Sequence, residues 1–209
     1  ETKNPPLLYN LAEIQNDCSK MFKISPDETL KIIQELYEKK LVTYPRTDAR
    51  VLSTAVSKEI YKNIGGLRNF APLADFAAKA LDSGTWKQIA KTKYVNDKQI
   101  TDHYAIIPTG QGFGALRSLN PLAAKVYELI GRRFLSIFYP PAVYQKFSLR
   151  IEKQGEQFFA AYKVLAEAGY LEVANVPSKK KAESSGNSKA ENSGASQDSQ
   201  AEELDPGHD

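Results

Sequence analysis

Hydrophobic side chains recur every three or four positions along most of the first 140 residues, which places them on one face of a helix. This periodicity predicts helices that begin near Asn10, Ser25, Ser53, Leu73 and Asn120. The second start is the clearest, because its serine is followed directly by proline and, three residues after the serine, by glutamate. The first two helices are joined by a tight turn, a pattern typical of a helix-turn-helix and equally of two packed core helices.

The second helix is predicted to end just before a loop that is rich in reactive groups. Its predicted buried face consists of Leu30, Ile33, Leu36, Tyr37 and Leu41. Residues 44–48 then read Tyr-Pro-Arg-Thr-Asp, which brings a phenol, a guanidinium, a hydroxyl and a carboxylate within five positions. Because Pro45 disfavours the helical conformation at the residue before it, we expect Tyr44 to lie extended on a loop.

The pattern changes after Tyr139, where two prolines end the last long helix. Residues 143–153 and 157–164 are rich in β-branched and aromatic residues and flank Gly155, which predicts a hairpin. Beyond about residue 177 the chain has too little apolar surface to fold. The sequence therefore predicts a mainly α fold with a partial antiparallel β segment at its C-terminal end: a helical domain over 1–140, a β-rich segment over 141–176 and a disordered tail over 177–209.

Composition changes this picture only modestly. The 209 residues are 42% hydrophobic and carry a formal net charge of +3. Acidic residues outnumber lysines in the predicted tail, so the folded part has the larger positive excess, which permits a nucleic-acid partner without requiring one. The single cysteine, Cys18, excludes an internal disulfide and is predicted to be a buried apolar residue.

We expect a cytoplasmic protein with no membrane partner, since no apolar run is long enough to span a bilayer and no signal sequence is evident. The chain begins with Glu1 and closes on a low-complexity run, which favours a piece of a longer protein.

A second stretch changes the interpretation of the tyrosine loop. Taken alone, Tyr44 would be interpreted as an ordinary half-buried tyrosine, and Arg46 and Asp48 as a surface ion pair. Residues 101–109, however, read Thr-Asp-His-Tyr-Ala-Ile-Ile-Pro-Thr. Together the two stretches resemble the type IA DNA topoisomerases, and the topoisomerase III branch most closely, which carry a Tyr-Pro-Arg-Thr-Asp motif followed by His-x-Ala-Ile-Ile-Pro-Thr.

The resemblance extends over about residues 5–175. The opening Pro-Pro-Leu-Leu-Tyr-Asn-Leu and the Asn-Asp-Lys at 96–98 are also similar to the topoisomerase III version. Two positions depart from the family pattern. Ala49 replaces a small polar residue, and Ile107 stands where bacterial topoisomerase I enzymes tend to have arginine.

The resemblance implies that Tyr44 is the nucleophile, which attacks one DNA strand, remains on the 5′ phosphate and frees a 3′ hydroxyl. Another strand or duplex then passes through the gap before resealing. Arg46 has the planar fork that matches phosphate oxygens and would stabilise the charge of the transition state. His103 would hydrogen-bond the same phosphate or its neighbour.

Three further residues are expected to contact DNA. They are Thr47, Lys98 and Thr109. For the two threonines, a role in capping turns explains the residue type equally well. For the lysine, a solvated surface is the safer interpretation. Asp48 is expected to be a structural partner of the loop or of Arg46.

The resemblance also implies partners and a metal. Enzymes of this family carry an acidic Toprim domain whose carboxylates hold magnesium, and no such cluster is present in this sequence. We therefore assign no metal ligand and no cofactor to this chain, and expect Mg²⁺ in the full-length enzyme. The expected partners are single-stranded DNA and the Toprim and gate domains of the same enzyme, without which the fragment is expected to be inactive.

Two other classes of protein share some of these features. A non-catalytic helix-turn-helix module would need groove-reading side chains at the start of the second helix, where Pro26, Asp27 and Glu28 stand instead. A tyrosine recombinase would gather its basic residues largely before the tyrosine, whereas His103 follows Tyr44. The DNA-binding module remains the alternative.

Overall fold

Helices form the body of the chain, and a hairpin follows them. A computed structural model describes residues 1–175. Its described residues contain seven α-helices: α1 (Leu11–Phe22), α2 (Pro26–Glu38), α3 (Thr54–Gly66), α4 (Ala74–Asp82), α5 (Phe113–Leu116), α6 (Pro121–Ser136) and α7 (Leu171–Ala174). They also contain three strands: β1 (Thr2–Lys3), β2 (Ala142–Lys153) and β3 (Glu156–Glu167). The predicted fold class is confirmed, since the strands form one antiparallel sheet in the order β1-β2-β3.

Helix starts follow the predicted caps. The Ser25 hydroxyl accepts the backbone N–H of Glu28 at 3.1 Å, with Pro26 as the first helical residue of α2. The Asn120 side chain opens α6 in the same way by accepting the N–H of Ala123 at 2.8 Å. A side-chain acceptor at this position satisfies one of the N–H groups that have no partner within the helix.

The core is organised around α6, most of whose side chains are buried. Arg132 is only 4% exposed, and its buried positive charge is compensated by the Glu128 carboxylate, 2.7 Å away. Its guanidinium also donates to the Val173 carbonyl. Arg133 pairs with Asp17 at 2.9 Å and so ties α6 to α1. No helix in the described part of the chain is long and apolar enough to cross a membrane.

The hairpin turns at the predicted position, since Gln154 and Gly155 both have positive φ between the two strands. Phe147 lies opposite Tyr162, and their rings stack with centroids 5.1 Å apart. Every residue of β3 is exposed. The boundary at residue 140 stays a prediction, and the predicted tail over 177–209 lies outside the described residues.

Details of the helical pattern differ from expectation. Met21 falls on the same helical face as Ile14 and Cys18 by periodicity, but it is 45% exposed. Gly65 and Gly66, a residue type that favours a helix end, are the last residues of α3, and a 3-10 turn over Leu67–Asn69 continues from them. Gly66 is small for a packing reason, since a Cβ atom there would collide with the backbone of Gly110. The helix and the loop that follows the second motif therefore approach more closely than an alanine would allow.

We expect Gly66→Ala to lower the free energy of unfolding by about 1 to 3 kcal/mol, because backbone atoms cannot yield as a flexible side chain can. Urea denaturation followed by circular dichroism measures the change. Gly114→Ala is the matched control: no atom lies within 4 Å of its Cβ position, so it should raise stability by about 0.4 to 1 kcal/mol. Equal stabilisation by both substitutions would contradict the close approach at Gly66.

Candidate active site

The loop that carries Tyr44 starts at a sharply defined helix end. The N–H of Leu41 donates to the Leu36 carbonyl at 2.9 Å, and the N–H of Lys40 donates to the Tyr37 carbonyl at 2.8 Å. Lys40 has a left-handed backbone, with φ 61°. These are the bonds of a Schellman motif, and the leucines on either side of it are fully buried. The helix therefore ends where the apolar contact fixes it, and the chain turns into the loop.

The two sequence motifs then run antiparallel to each other. The Thr43 N–H donates to the Ile107 carbonyl at 3.0 Å, and the Thr109 N–H donates to the Leu41 carbonyl at 3.0 Å. The backbone of one motif thus supplies the partners that the other would lack in a free loop.

Threonine side chains reinforce this pairing. The Thr43 hydroxyl donates to the Ala105 carbonyl at 2.9 Å and accepts the Ile107 N–H at 3.0 Å. Further along, the Thr47 hydroxyl donates to the His103 carbonyl at 2.8 Å. Hydroxyl bridges therefore hold the loops together on both sides of Tyr44.

The pairing brings the predicted reactive groups to one place. The rings of Tyr44 and His103 lie with their centroids 4.4 Å apart and their planes tilted by 40°. Tyr37 also packs edge-on against the Tyr44 ring, with centroids 5.5 Å apart and an interplanar angle of 82°. Tyr44 is half-buried, whereas Arg46 and His103 are exposed. Tyr44 and His103 are thus in ring contact, and Arg46 shares one surface hollow with each of them.

Tyr44 lines two open hollows, with volumes of about 580 and 620 Å³. The first hollow, here called the tyrosine groove, is lined mainly by Tyr37, Lys40, Tyr44, His103, Tyr104 and Gln111. The second is lined by charged residues of both signs from α2, together with Tyr44 and Arg46. A smaller hollow contains both Arg46 and His103. A bound phosphate could therefore reach the phenol, the guanidinium and the imidazole from one open surface.

The tyrosine groove carries three phenols, and they are not equivalent. Burial raises the pKa of Tyr104, which disfavours the phenolate that an attack on phosphorus requires. Tyr37 is 38% exposed but belongs to the helix, whereas Tyr44 belongs to the paired loop beside His103. The geometry therefore favours Tyr44 as the nucleophile.

The other predicted contact residues are placed differently. Thr47 is 7% exposed, and its hydroxyl proton is committed to the His103 carbonyl. The Thr109 hydroxyl likewise donates to the Lys40 carbonyl. Both arrangements favour a positioning role. Lys98 is exposed on a 3-10 turn and does not line the tyrosine groove.

The interpretation of the sequence missed two residues of this site. Tyr37 was assigned to the buried face of α2 but stands at the edge of that face, where it contacts Tyr44. Lys40, which follows the predicted end of the same helix, also lines the groove. A helical projection places a side chain on a face but cannot show which neighbour a loop brings against that face.

The expected metal has no site in the described residues. No group of three or more histidine, cysteine, aspartate or glutamate side chains lies there in an arrangement that could hold a metal ion. Cys18 is fully buried in the core, and burial raises the pKa of its thiol to about 12.

Comparison with known proteins identifies the family to which this chain belongs. A family model described as DNA topoisomerase matches residues 1–205, and the chain therefore belongs to the DNA topoisomerase family. The chain is 40% identical over 169 residues to DNA topoisomerase 3 of Bacillus licheniformis and 38% identical over 169 residues to that of Bacillus subtilis. The resemblance to the type IA enzymes, on the topoisomerase III side, is confirmed.

The comparisons also set the extent of the match. These relatives match 80% of this chain, but the chain spans only 23% of their length. The fold is similar to that of full-length topoisomerase I from Thermotoga maritima, with a TM-score of 0.57 at 22% identity, over 85% of this chain and 28% of that one. This likeness supports the fold alone.

The positioning role of Thr47 predicts that Thr47→Val lowers the free energy of unfolding by about 1 to 3 kcal/mol. The substitution leaves the His103 carbonyl and the Ala49 N–H without the hydroxyl that both now contact. Thr47→Ser keeps the hydroxyl and should lose clearly less stability. Denaturant unfolding of the three proteins makes the comparison. Unchanged stability of Thr47→Val would show that the hydroxyl does not hold the loops together.

Proposed function

We propose that this chain supplies the tyrosine nucleophile of a type IA DNA topoisomerase. Tyr44 attacks a phosphodiester of one DNA strand, forms a bond from its phenol oxygen to phosphorus and displaces the 3′ oxygen, which leaves as a hydroxyl. The strand is stored as a 5′-phosphotyrosyl ester, DNA passes through the gap, and the 3′ hydroxyl reverses the reaction. The observation that carries this proposal is the contact of Tyr44 with His103, with Arg46 at the same surface.

Arg46 and His103 serve the phosphate in this scheme. The transition state gathers negative charge on the phosphoryl oxygens, and a guanidinium can donate two parallel hydrogen bonds to them. Because Arg46 is exposed and only two residues beyond Tyr44, it can reach a phosphate that the phenol attacks. The imidazole of His103, in contact with the phenol ring, can donate to the same or the adjacent phosphate.

The partners follow from the same scheme. Single-stranded DNA is the substrate, bound across the tyrosine groove, and the remaining Toprim and gate domains complete the enzyme. Mg²⁺ would be held by other parts of that enzyme, since no group of side chains in the described residues fits a metal ion. Contacts to DNA from Thr47, Lys98 and Thr109, and a cytoplasmic location, stay predictions.

The alternative, a non-catalytic helix-turn-helix module, finds less support. The start of α2, which would enter a DNA groove, presents Asp27 and Glu28. Phosphate oxygens would be repelled there. The aromatic and cationic groups instead gather at the opposite end of that helix.

The decisive test uses a chimera in which residues 1–175 replace the matching segment of Bacillus licheniformis topoisomerase 3. With a single-stranded oligonucleotide labelled at its 3′ end, we expect a covalent protein adduct on a denaturing gel. A 5′ label should appear in a free, shortened fragment. Tyr44→Phe should abolish both products, because it removes the oxygen that forms the bond to phosphorus and keeps the rest of the ring.

Tyr104→Phe in the same chimera is the matched control, since it removes a phenol from the same groove, and it should still form the adduct. Adduct formation by Tyr44→Phe, or its loss only in Tyr104→Phe, would show that the nucleophile is wrongly assigned. A covalent label from the 5′-labelled strand would contradict the proposed polarity of the reaction.

Arg46→Ala should slow adduct formation by about 10²- to 10³-fold, the range observed when one donor to a developing oxyanion is removed. Single-turnover quenching measures the rate, and Arg50→Ala supplies a control. Arg50 lies four residues further along the same segment, but its guanidinium pairs with Glu13 at 3.2 Å. Comparable losses in both variants would indicate damage to the loop and not a role at the phosphate.

The 209-residue chain by itself should bind single-stranded DNA weakly and cut nothing. Stacking on exposed aromatic rings contributes about 1 to 3 kcal/mol per base, and Tyr44→Phe keeps the ring, so its affinity should be almost unchanged. Fluorescence anisotropy with a labelled oligonucleotide measures binding. Strand cutting by the isolated chain would contradict the proposed division of labour between domains.

A further inference from the structure

The end of α2 contains a residue whose backbone conformation does not suit its side chain. Lys40 adopts φ 61°, in the left-handed region, at the position of a Schellman motif that glycine usually occupies. A residue with a Cβ atom is strained there, whereas glycine is not. Strain of this kind persists when the surrounding structure imposes it, and it is concentrated at functional sites.

The position of Lys40 suggests what the side chain is for. It lines the tyrosine groove together with Tyr44 and His103. Its carbonyl accepts the Thr109 hydroxyl, so the residue is attached to the second motif as well as to the helix. An exposed ammonium is thereby presented on the same surface as the phenol.

The charge of Lys40 is also available. Its neighbour Lys39 pairs with Glu35 at 2.7 Å, and Lys62, further along the surface, pairs with Glu59 at 3.0 Å. Among the ion pairs of the described residues none involves Lys40. The groove lining contains one acidic residue, Glu38.

We propose that Lys40 binds a backbone phosphate of the DNA strand that lies in the tyrosine groove, and that the strained backbone is retained for this contact. An ammonium at this place adds a positive charge to the strand-binding surface beside the nucleophile, without reading the base sequence. This inference rests on the proposed function, because it takes single-stranded DNA as the ligand of the groove.

The chain contains a natural control for the strain. Lys23 ends α1 with φ 59°, and its N–H donates to the Ser19 carbonyl at 3.2 Å. It is therefore also a left-handed lysine at a helix end. Lys23 does not line the tyrosine groove. Replacement of each lysine by glycine removes the same strain and the same charge, but only one of the two should affect DNA.

The experiment compares Lys40→Gly, Lys23→Gly and Lys40→Arg in the 209-residue chain. Thermal unfolding is followed by circular dichroism. We expect both glycine variants to raise the melting temperature by about 2 to 4 °C. Glycine removes the strain of the left-handed backbone, and a gain in stability of that size produces such a shift in a domain of this length.

Binding is measured by anisotropy with a fluorescein-labelled 20-residue oligothymidylate over a series of salt concentrations. Lys40→Gly should weaken binding about two- to fivefold at low salt, the range for one exposed charge pair. It should also make the slope of log affinity against log salt shallower by about 0.7, the value for one phosphate contact on a single strand. Lys23→Gly should leave both quantities unchanged, and Lys40→Arg should retain the wild-type slope.

Opposite signs for stability and binding in Lys40→Gly would support the proposal, because a merely structural lysine would not lower affinity while the fold becomes more stable. Wild-type affinity and slope in Lys40→Gly, equal weakening by Lys23→Gly, or a lowered melting temperature of Lys40→Gly would overturn it. If the wild-type chain shows no salt-dependent binding to the oligonucleotide, the proposed single-stranded DNA substrate itself fails, which distinguishes that result from failure of the Lys40 assignment alone.

Discussion

The site depends on the hydrogen bonds between two loops that are sixty residues apart in the chain. Backbone bonds join Thr43 to Ile107 and Leu41 to Thr109, and the hydroxyls of Thr43 and Thr47 add contacts to the facing carbonyls. Each such bond contributes about 0.5 to 1.5 kcal/mol net, and each would leave a costly unpaired group if broken. Because the bonds flank Tyr44, they hold the segment that places its ring against His103.

The helix before the loop has a matching role. Leu36 and Leu41 are buried on either side of the turn that ends α2, so the apolar contact decides where the helix stops. That turn requires a left-handed residue, and the chain uses lysine. Tyr37, on the last turn of the same helix, packs edge-on against the Tyr44 ring. The end of the helix and the placement of the Tyr44 ring are therefore parts of one local arrangement.

Local signals explain what the sequence could predict. A helix start at Ser25 or Asn120 needs only a side-chain oxygen and an N–H three residues away, and the hairpin turn at Gly155 is equally local. The positions of β1 and α7 were not predicted. β1 is defined by pairing with a strand about 140 residues later, and α7 is only four residues long.

The candidate site shows the same difference between features with a local signal in the sequence and features that depend on distant segments. The motifs identified Tyr44, Arg46 and His103, but the sequence held no signal that Tyr37 would turn from the core toward the loop or that the Thr47 hydroxyl would face His103. Those contacts arise only when distant segments meet. Side chains assigned by periodicity at the edge of a helical face are the ones that tertiary structure most readily reassigns, as Tyr37 shows.

The most direct test of the central claim is peptide mapping of the covalent adduct. Digestion of the trapped chimera with nuclease and then trypsin separates the three phenols of the groove, since Tyr37, Tyr44 and Tyr104 fall on different tryptic peptides. We expect the nucleotide mass on the peptide of residues 41–46, whose only tyrosine is Tyr44, and on neither of the others. A nucleotide on the peptide that contains Tyr37 or Tyr104, or on no tyrosine, would contradict the account.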